Sequence, residues 1–144
     1  MDSFFSESDL IFSYTTKQAV IDGELVVVPV EKREEVGIKF PVYMTRSVWN
    51  RYVQVPVEME GQQDLSGRLW DVLFMFALQA RKTSSDRLIF RFVCQIPVQC
   101  EWLDNELKAG DDSLLRGISL KAVIQAQDFD DPSPAIFIML PNED

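Results

Sequence analysis

The stretch DLSGRLWDVLFMFALQARK, residues 64–82, constrains the fold more than any other part of the sequence. Its apolar residues recur at spacings of three and four, which is the period of a helix with a buried face. A second apolar stripe, which contains Trp70 and Phe74, lies beside the first, and Asp64 is a suitable N-cap. We therefore predict a core helix over residues 64–82 that is buried on more than one side.

Beyond this helix the pattern changes from helical spacing to alternation. The stretch LIFRFVCQIPV, residues 88–98, alternates along its length, which is typical of a strand in a half-buried sheet. Residues 117–127 and 135–140 predict two further strands, joined by the Asp- and Pro-rich turn 128–134. The β-branched run at residues 24–28 predicts a fourth strand.

The N-terminal part is predicted to contribute helices with defined ends. Thr15 is a suitable N-cap, Gln18 completes a capping box three residues later, and Gly23 ends the helix. Thr45 is the predicted N-cap of another helix. The expected architecture is one α+β domain over residues 1–144, with N-terminal helices around one buried core helix, packed on a mainly antiparallel sheet of three to four strands.

The composition is that of a globular chain without a membrane span. Apolar residues make up 47% and aromatic residues 11% of the chain, too many for a disordered one. No apolar run approaches the roughly 18 residues needed to cross a bilayer, and the first ten residues lack the basic and apolar regions of a signal peptide. We therefore expect a cytoplasmic protein in which Cys94 and Cys100 stay thiols.

The sequence holds no histidine. This removes the commonest general base, metal ligand and partner of a nucleophilic Ser or Cys, and so lowers the expectation of catalysis. Gly61 and Gly67 lie near each other but lack the Lys-Ser/Thr ending of a phosphate-binding loop. We therefore assign no catalytic residue, no metal ligand and no cofactor.

The net charge of −9 is unevenly distributed. Residues 1–100 hold 13 acids and 11 bases, whereas residues 101–144 hold 10 acids and 3 bases. Such a chain repels a phosphate backbone, so we expect no direct binding of nucleic acid and, instead, a protein partner with a basic surface. The carboxylates predicted to contact that partner are Glu101, Asp104, Glu106, Asp111, Asp112, Asp128, Asp130 and Asp131.

Two other interpretations of the polar residues stay open. Asp128, Asp130 and Asp131 could bind a cation, although their spacing lacks the Gly and Glu of an EF-hand loop and is typical of a solvated turn. Arg68 lies four residues after Asp64, which favours an ion pair on one side of the core helix. The functional alternative is that Arg68 recognises an anionic group through its planar fork.

Several stretches together resemble a known protein family. They are DLIFSYTTKQAVIDGELVVV, FPVYMTRSVW, GRLWDVLFM, SLKAV and IFIMLPNED, in the family's order along nearly the whole chain. The chain is similar to a family of small bacterial proteins of unknown function, often found on plasmids and phages. The resemblance implies an accessory role in a bacterial cytoplasm, or in the host cytoplasm for a phage protein. It does not extend to CEWLDNELKAGDD, and its motif residues of unknown role are Tyr14, Asp22, Arg68, Trp70 and Asp71.

These observations predict a non-enzymatic, acidic accessory protein that acts by protein–protein interaction. In a sharper version, a mobile element encodes it, and its carboxylates stand in for phosphates to occupy a nucleic-acid-binding site on a host protein. The alternative is a small ligand- or metal-binding domain, or an enzyme, that uses carboxylates and Arg68. A homo-oligomer with an interface around Trp49 or at a sheet edge is a third interpretation.

Overall fold

A computed structural model describes residues 15–57, 61, 64–97, 113–128 and 130–143, without the side chains of 95–97 and 113–115. The short elements of its N-terminal part are α1 (Thr16–Ile21), β1 (Leu25–Val27), α2 (Val30–Glu35), β2 (Val42–Thr45) and α3 (Arg46–Val48), which continues into a π-helical turn, Trp49–Val53. They are followed by the longer elements α4 (Leu65–Ala80), β3 (Arg87–Pro97), β4 (Ser113–Asp128) and β5 (Asp131–Met139).

The strands form one mixed sheet in the order β1-β2-β5-β4-β3. Strands β3, β4 and β5 are antiparallel neighbours, as are β1 and β2, but β2 and β5 run parallel. The α+β class predicted from the sequence is confirmed. The prediction of a mainly antiparallel sheet of three to four strands is wrong in its detail, since the described part of the chain forms five strands with one parallel pair.

The strand that the sequence did not reveal is β2. Val42, Tyr43 and Met44 are all buried, because β2 lies between β1 and β5 and both of its faces are covered. A short strand that is buried on both faces has no alternation to identify it. Its last residue, Thr45, is also the N-cap of α3, so the sequence pattern favoured only the helix.

Helix α4 packs on one face of the sheet, which we call the covered face. The rings of Phe76 and Phe90 meet there edge to face, with their centroids 5.8 Å apart. Trp70 and Asp71 are exposed, so α4 is buried along one side and not, as predicted, on more than one. The buried residues of α4 are Arg68, Leu69, Val72, Leu73, Phe76 and Ala77.

None of the helices in the described ranges is long and apolar enough to span a bilayer.

The predicted helix ends are confirmed, with one change. Thr15 accepts a hydrogen bond from the backbone N–H of Gln18 at 3.0 Å, and Thr45 and Asp64 cap α3 and α4 in the same way. The second half of the predicted capping box does not form, because the Gln18 amide donates to Asp22 at 2.9 Å. Gly23 ends α1 with a φ of 83°, a conformation that glycine adopts without a steric penalty.

Candidate functional site

The opposite face of the sheet, which we call the open face, is covered by α1 only in part. One row of paired residues crosses all five strands on this face: Val27, Tyr43, Phe137, Val123 and Arg87. A small second core made by this face packs against Val20 of α1. Since α1 has only six residues, cavities remain on both of its sides.

The first cavity, of about 520 Å³, lies where α1 meets β1 and the β4–β5 turn, and we call it the acidic pocket. Its apolar wall consists of Val20, Ile21, Val27 and Tyr43. Ile21 is 76% exposed and Val27 is 49% exposed, so hydrocarbon here faces solvent. Its polar rim consists of Lys17, Asp128, Asp130 and Asp131.

Asp128 joins the pocket rim to the start of α1. Its two carboxylate oxygens accept hydrogen bonds from the backbone N–H groups of Thr16 at 3.3 Å and Lys17 at 3.1 Å. These are N–H groups of the first turn, which have no partner within a helix. The end of β4 therefore fixes the position of α1 through a residue that is 112 positions away in sequence from Thr16.

Asp130 and Asp131 form the outer part of the rim. The Asp130 carboxylate lies 3.9 Å from the Lys17 ammonium, and both side chains are largely exposed. Asp131 accepts hydrogen bonds from the hydroxyl and the backbone N–H of Ser133. These bonds and the charge of Lys17 lower the pKa of Asp131, so it is ionised at neutral pH. Three carboxylates therefore face one ammonium group.

Tyr43 forms the aromatic part of the pocket wall and stacks on Phe137, with ring centroids 5.2 Å apart. Burial raises the pKa of the Tyr43 hydroxyl, and the negative charges of Asp128 and Asp131 raise it further. The negative charges of the rim carboxylates therefore act on the Tyr43 hydroxyl in the pocket wall. The carboxylates do not converge as metal ligands: within the described ranges, no group of three or more Cys, Asp or Glu side chains is arranged to hold an ion.

The second cavity, of about 740 Å³, lies on the other side of α1, and we call it the basic trough. Its floor includes Val123, Phe137 and Met139, and its cationic side chains are Arg46, Arg87 and Lys121. The acids that line it are Glu24 and Glu143. Helix α1 thus separates two cavities on one face whose lining charges have opposite sign.

Six of the residues predicted to be functional lie outside the described part of the chain. Asp22, which is described, is exposed at the C-terminal end of α1, where its carboxylate accepts the hydrogen bond from the Gln18 amide. The predicted residues outside the described ranges are Tyr14, Glu101, Asp104, Glu106, Asp111 and Asp112.

The residues of the GRLWDVL motif do not form one site. Arg68 is only 5% exposed, and its guanidinium donates to the backbone oxygen of Gln54 at 2.8 Å. The predicted ion pair between Asp64 and Arg68 does not form, because the Asp64 carboxylate accepts from the backbone N–H of Gly67 at 2.6 Å. Arg68 therefore ties α4 to the segment that follows the π-helical turn.

The other two motif residues lie toward solvent. Trp70 stacks on Phe74 with a centroid distance of 4.5 Å, which is the contact expected four residues apart on a helix. Asp71 lines a third cavity, of about 470 Å³, beside Arg91 and Val93 of β3. Partial burial raises the pKa of the Asp71 carboxyl. Neither residue contributes to the two cavities on the open face.

Sequence reasoning missed the apolar wall of the acidic pocket and the cations of the trough. Ile21 ends a helix and Val27 lies in a predicted strand, so both were expected to be structural. A partial signal for the trough was present, since Lys121 occupies a polar position of the predicted strand 117–127 and Arg87 directly precedes the alternating stretch 88–98. Their proximity to Arg46 depends on the strand order, which the sequence does not reveal.

Comparisons with known proteins give a family but no activity. The model of a family of unknown function, DUF6573, matches residues 1–144. Neither a curated protein nor a solved structure matches the chain.

Proposed function

We propose that this chain, which belongs to the DUF6573 family along its whole length, is a non-enzymatic accessory protein that binds a basic segment of another protein. The acidic pocket is the proposed contact site. A Lys or Arg side chain of the partner enters it, with the aliphatic stem against the apolar wall and the cationic group at the carboxylate rim.

The observation that carries this proposal is the exposed hydrocarbon of Ile21 and Val27 beside the three carboxylates of the rim. Lys and Arg side chains combine a long apolar stem with a charged end, so they match a surface that offers both. Arg has the better shape, because its planar fork binds carboxylates through two parallel hydrogen bonds. A fully hydrated acidic loop would not require the apolar wall.

The rim is preorganised for a cation. Asp128 is held against α1, and the hydrogen bonds from Ser133 fix Asp131 and favour its ionised form. A partner therefore does not have to order these carboxylates on binding, and the entropy cost of association is smaller. The Lys17 ammonium near Asp130 is exposed and weakly held, so an incoming guanidinium can replace it.

The distribution of charge supports a larger acidic contact. The described ranges hold 13 of the 14 basic residues but only 12 of the 23 acids. The surplus of negative charge therefore lies elsewhere in the sequence, and residues 101–112 alone hold five acids and one Lys. We propose that Glu101, Asp104, Glu106, Asp111 and Asp112 also contact the partner.

The finer proposal concerns what the partner normally binds. A basic surface that holds a phosphate backbone is also complementary to closely spaced carboxylates. We propose that the protein is encoded by a mobile element and occupies such a surface on a host protein. Duplex DNA then competes with it for the same Lys and Arg groups.

A titration with a hexa-arginine peptide, followed by calorimetry, tests the pocket. We expect the Asp130→Asn/Asp131→Asn variant to raise the Kd about tenfold, because two charge-assisted contacts are lost. The matched control is Glu31→Gln/Glu34→Gln, which changes the net charge equally on the exposed side of α2. An equal loss of affinity in both variants would show that only overall charge matters, and would overturn the proposal.

A second pair of variants tests the apolar wall. Ile21→Ser is expected to weaken peptide binding about threefold through lost contact with the stem, whereas Val57→Ser, also at an exposed site, leaves it unchanged. For the natural partner, affinity capture is compared between the wild type and both double variants. The proposal requires a protein that Asp130→Asn/Asp131→Asn loses, that the α2 control retains, and that duplex DNA displaces.

A further inference from the structure

We infer that the basic trough is a second binding site, for a small organic anion that joins a carboxylate or phosphate group to an apolar body. It does not depend on the proposed partner contact, because it lies on the other side of α1 and its lining has an excess of cationic side chains. Its volume of about 740 Å³ is within the range of small-molecule sites.

The floor of the trough is apolar because of strand register. Val123 pairs with Phe137 on β5 and with Arg87 on β3, and Lys121 pairs with Met139. Arg87 and Lys121 therefore lie beside apolar side chains, in two neighbouring rows of paired residues on the open face. The ligand's apolar body lies on Phe137 and Met139, and its anionic group lies between Arg87 and Lys121.

The three cations are held to different degrees. Arg46 donates from Nε to the backbone oxygen of Gly23 at 2.8 Å, and Lys121 donates from Nζ to the backbone oxygen of Glu143. Both contacts anchor the side chains and leave further donors of each group for a ligand. Arg87 has no hydrogen bond or ion pair from its guanidinium to the described residues, so its whole fork is available.

The acids of the trough do not cancel this charge. The Glu143 carboxylate accepts hydrogen bonds from the Thr45 hydroxyl and the Leu140 backbone N–H, each at 2.8 Å, so it is fixed within the structure. Glu24 also lines the trough, and its side chain is exposed. Three cations against two acids favour an anion, and Arg87 is the cation without a contact from its guanidinium to the described residues.

The test uses anilinonaphthalene sulfonate, an aromatic anion whose fluorescence rises in apolar surroundings. We expect saturable binding that Arg87→Gln weakens at least fivefold, while Arg81→Gln, the same change at an exposed position after α4, weakens it less than twofold. Gln125→Glu adds an acid to the trough lining without removing a core side chain, and is expected to weaken binding about threefold.

Competition identifies the source of the anionic group. Displacement of the probe by decanoate indicates a carboxylate ligand with an alkyl chain, and displacement by AMP indicates a phosphate ligand. The inference is overturned by the lack of saturable binding, by displacement with neither competitor, or by equal losses in Arg87→Gln and Arg81→Gln. Peptide binding at the acidic pocket is expected to be unchanged in Arg87→Gln. The proposals for the two sites can therefore be confirmed or overturned independently.

Discussion

The two faces of the sheet are built from similar strands but are covered very differently. On the covered face, the 16-residue helix α4, the π-helical turn and the segments around α2 enclose one large apolar core. On the open face, the six-residue helix α1 covers a small core and leaves a cavity on each side. The covered face therefore contributes most of the buried apolar core that stabilises the fold, whereas the open face contributes the cavities at which we propose binding.

The largest expected effect tests the stability side of this comparison. Leu73 is fully buried in α4, so Leu73→Ala should lower the free energy of unfolding by about 3 kcal/mol through lost contacts and a residual cavity. Val93→Ala, on the exposed side of β3, should change it by less than about 0.5 kcal/mol. Urea denaturation measures both. Similar losses of unfolding free energy at the two positions would show that stability does not depend mainly on the covered face.

The second largest expected effect is the loss of stability when Arg68 of α4 is replaced. Arg68→Met keeps the apolar stem but removes the charged donor that bonds the backbone oxygen of Gln54, and should cost about 2 kcal/mol in unfolding free energy. Arg81→Met, just after the same helix at an exposed position, is the control and should be nearly neutral. If Arg68→Met retained wild-type stability, Arg68 would not be a structural anchor, and a ligand-binding role for it would become the better hypothesis.

Asp128 connects the stability of the open face to its binding surface. Asp128→Ala removes the acceptor for two N–H groups of α1 and should cost about 1 kcal/mol, the usual value for a helix cap. Asp128→Asn keeps an acceptor oxygen and should cost less than half as much. Hydrogen exchange should show faster exchange in α1 for Asp128→Ala and no change in α4, and uniform acceleration would contradict the assignment.

The smallest expected effect is the pH dependence of stability that arises from Tyr43 on the open face. The pKa of Tyr43 is raised in the folded state, so its contribution to stability is complete below the unfolded value near 10 and is lost as the pH rises through the folded pKa. Absorbance titration should show a lower Tyr43 pKa in Asp131→Asn, since one nearby negative charge is removed. An unchanged pKa would mean that the rim does not act on the pocket wall. Tyr14→Phe/Tyr52→Phe in both backgrounds leaves Tyr43 as the single tyrosine of the chain.

Local signals predicted most of the elements correctly. The caps at Thr15, Thr45 and Asp64 and the glycine stop at Gly23 depend on contacts within a single turn, which the sequence shows directly. The alternation over residues 88–98 correctly predicted a strand, and the structure shows that Phe90 and Phe92 are on its buried side. The candidate site was predicted less well: Asp128, Asp130 and Asp131 do line one pocket, but its apolar wall, Ile21 and Val27, carried no distinguishing pattern.

By itself, the sequence determined the α+β class, the helix ends, the half-buried strands and the excess of carboxylates, because each follows from neighbouring residues or from composition. Only the tertiary structure decided the parallel pairing of β2 with β5, the use of Asp128 as a cap for α1, and the placement of Arg46, Arg87 and Lys121 along one trough. The physical reason is that these contacts join residues far apart in the chain. Their formation depends on which strands become neighbours when the apolar faces are buried together, and no local period encodes that choice.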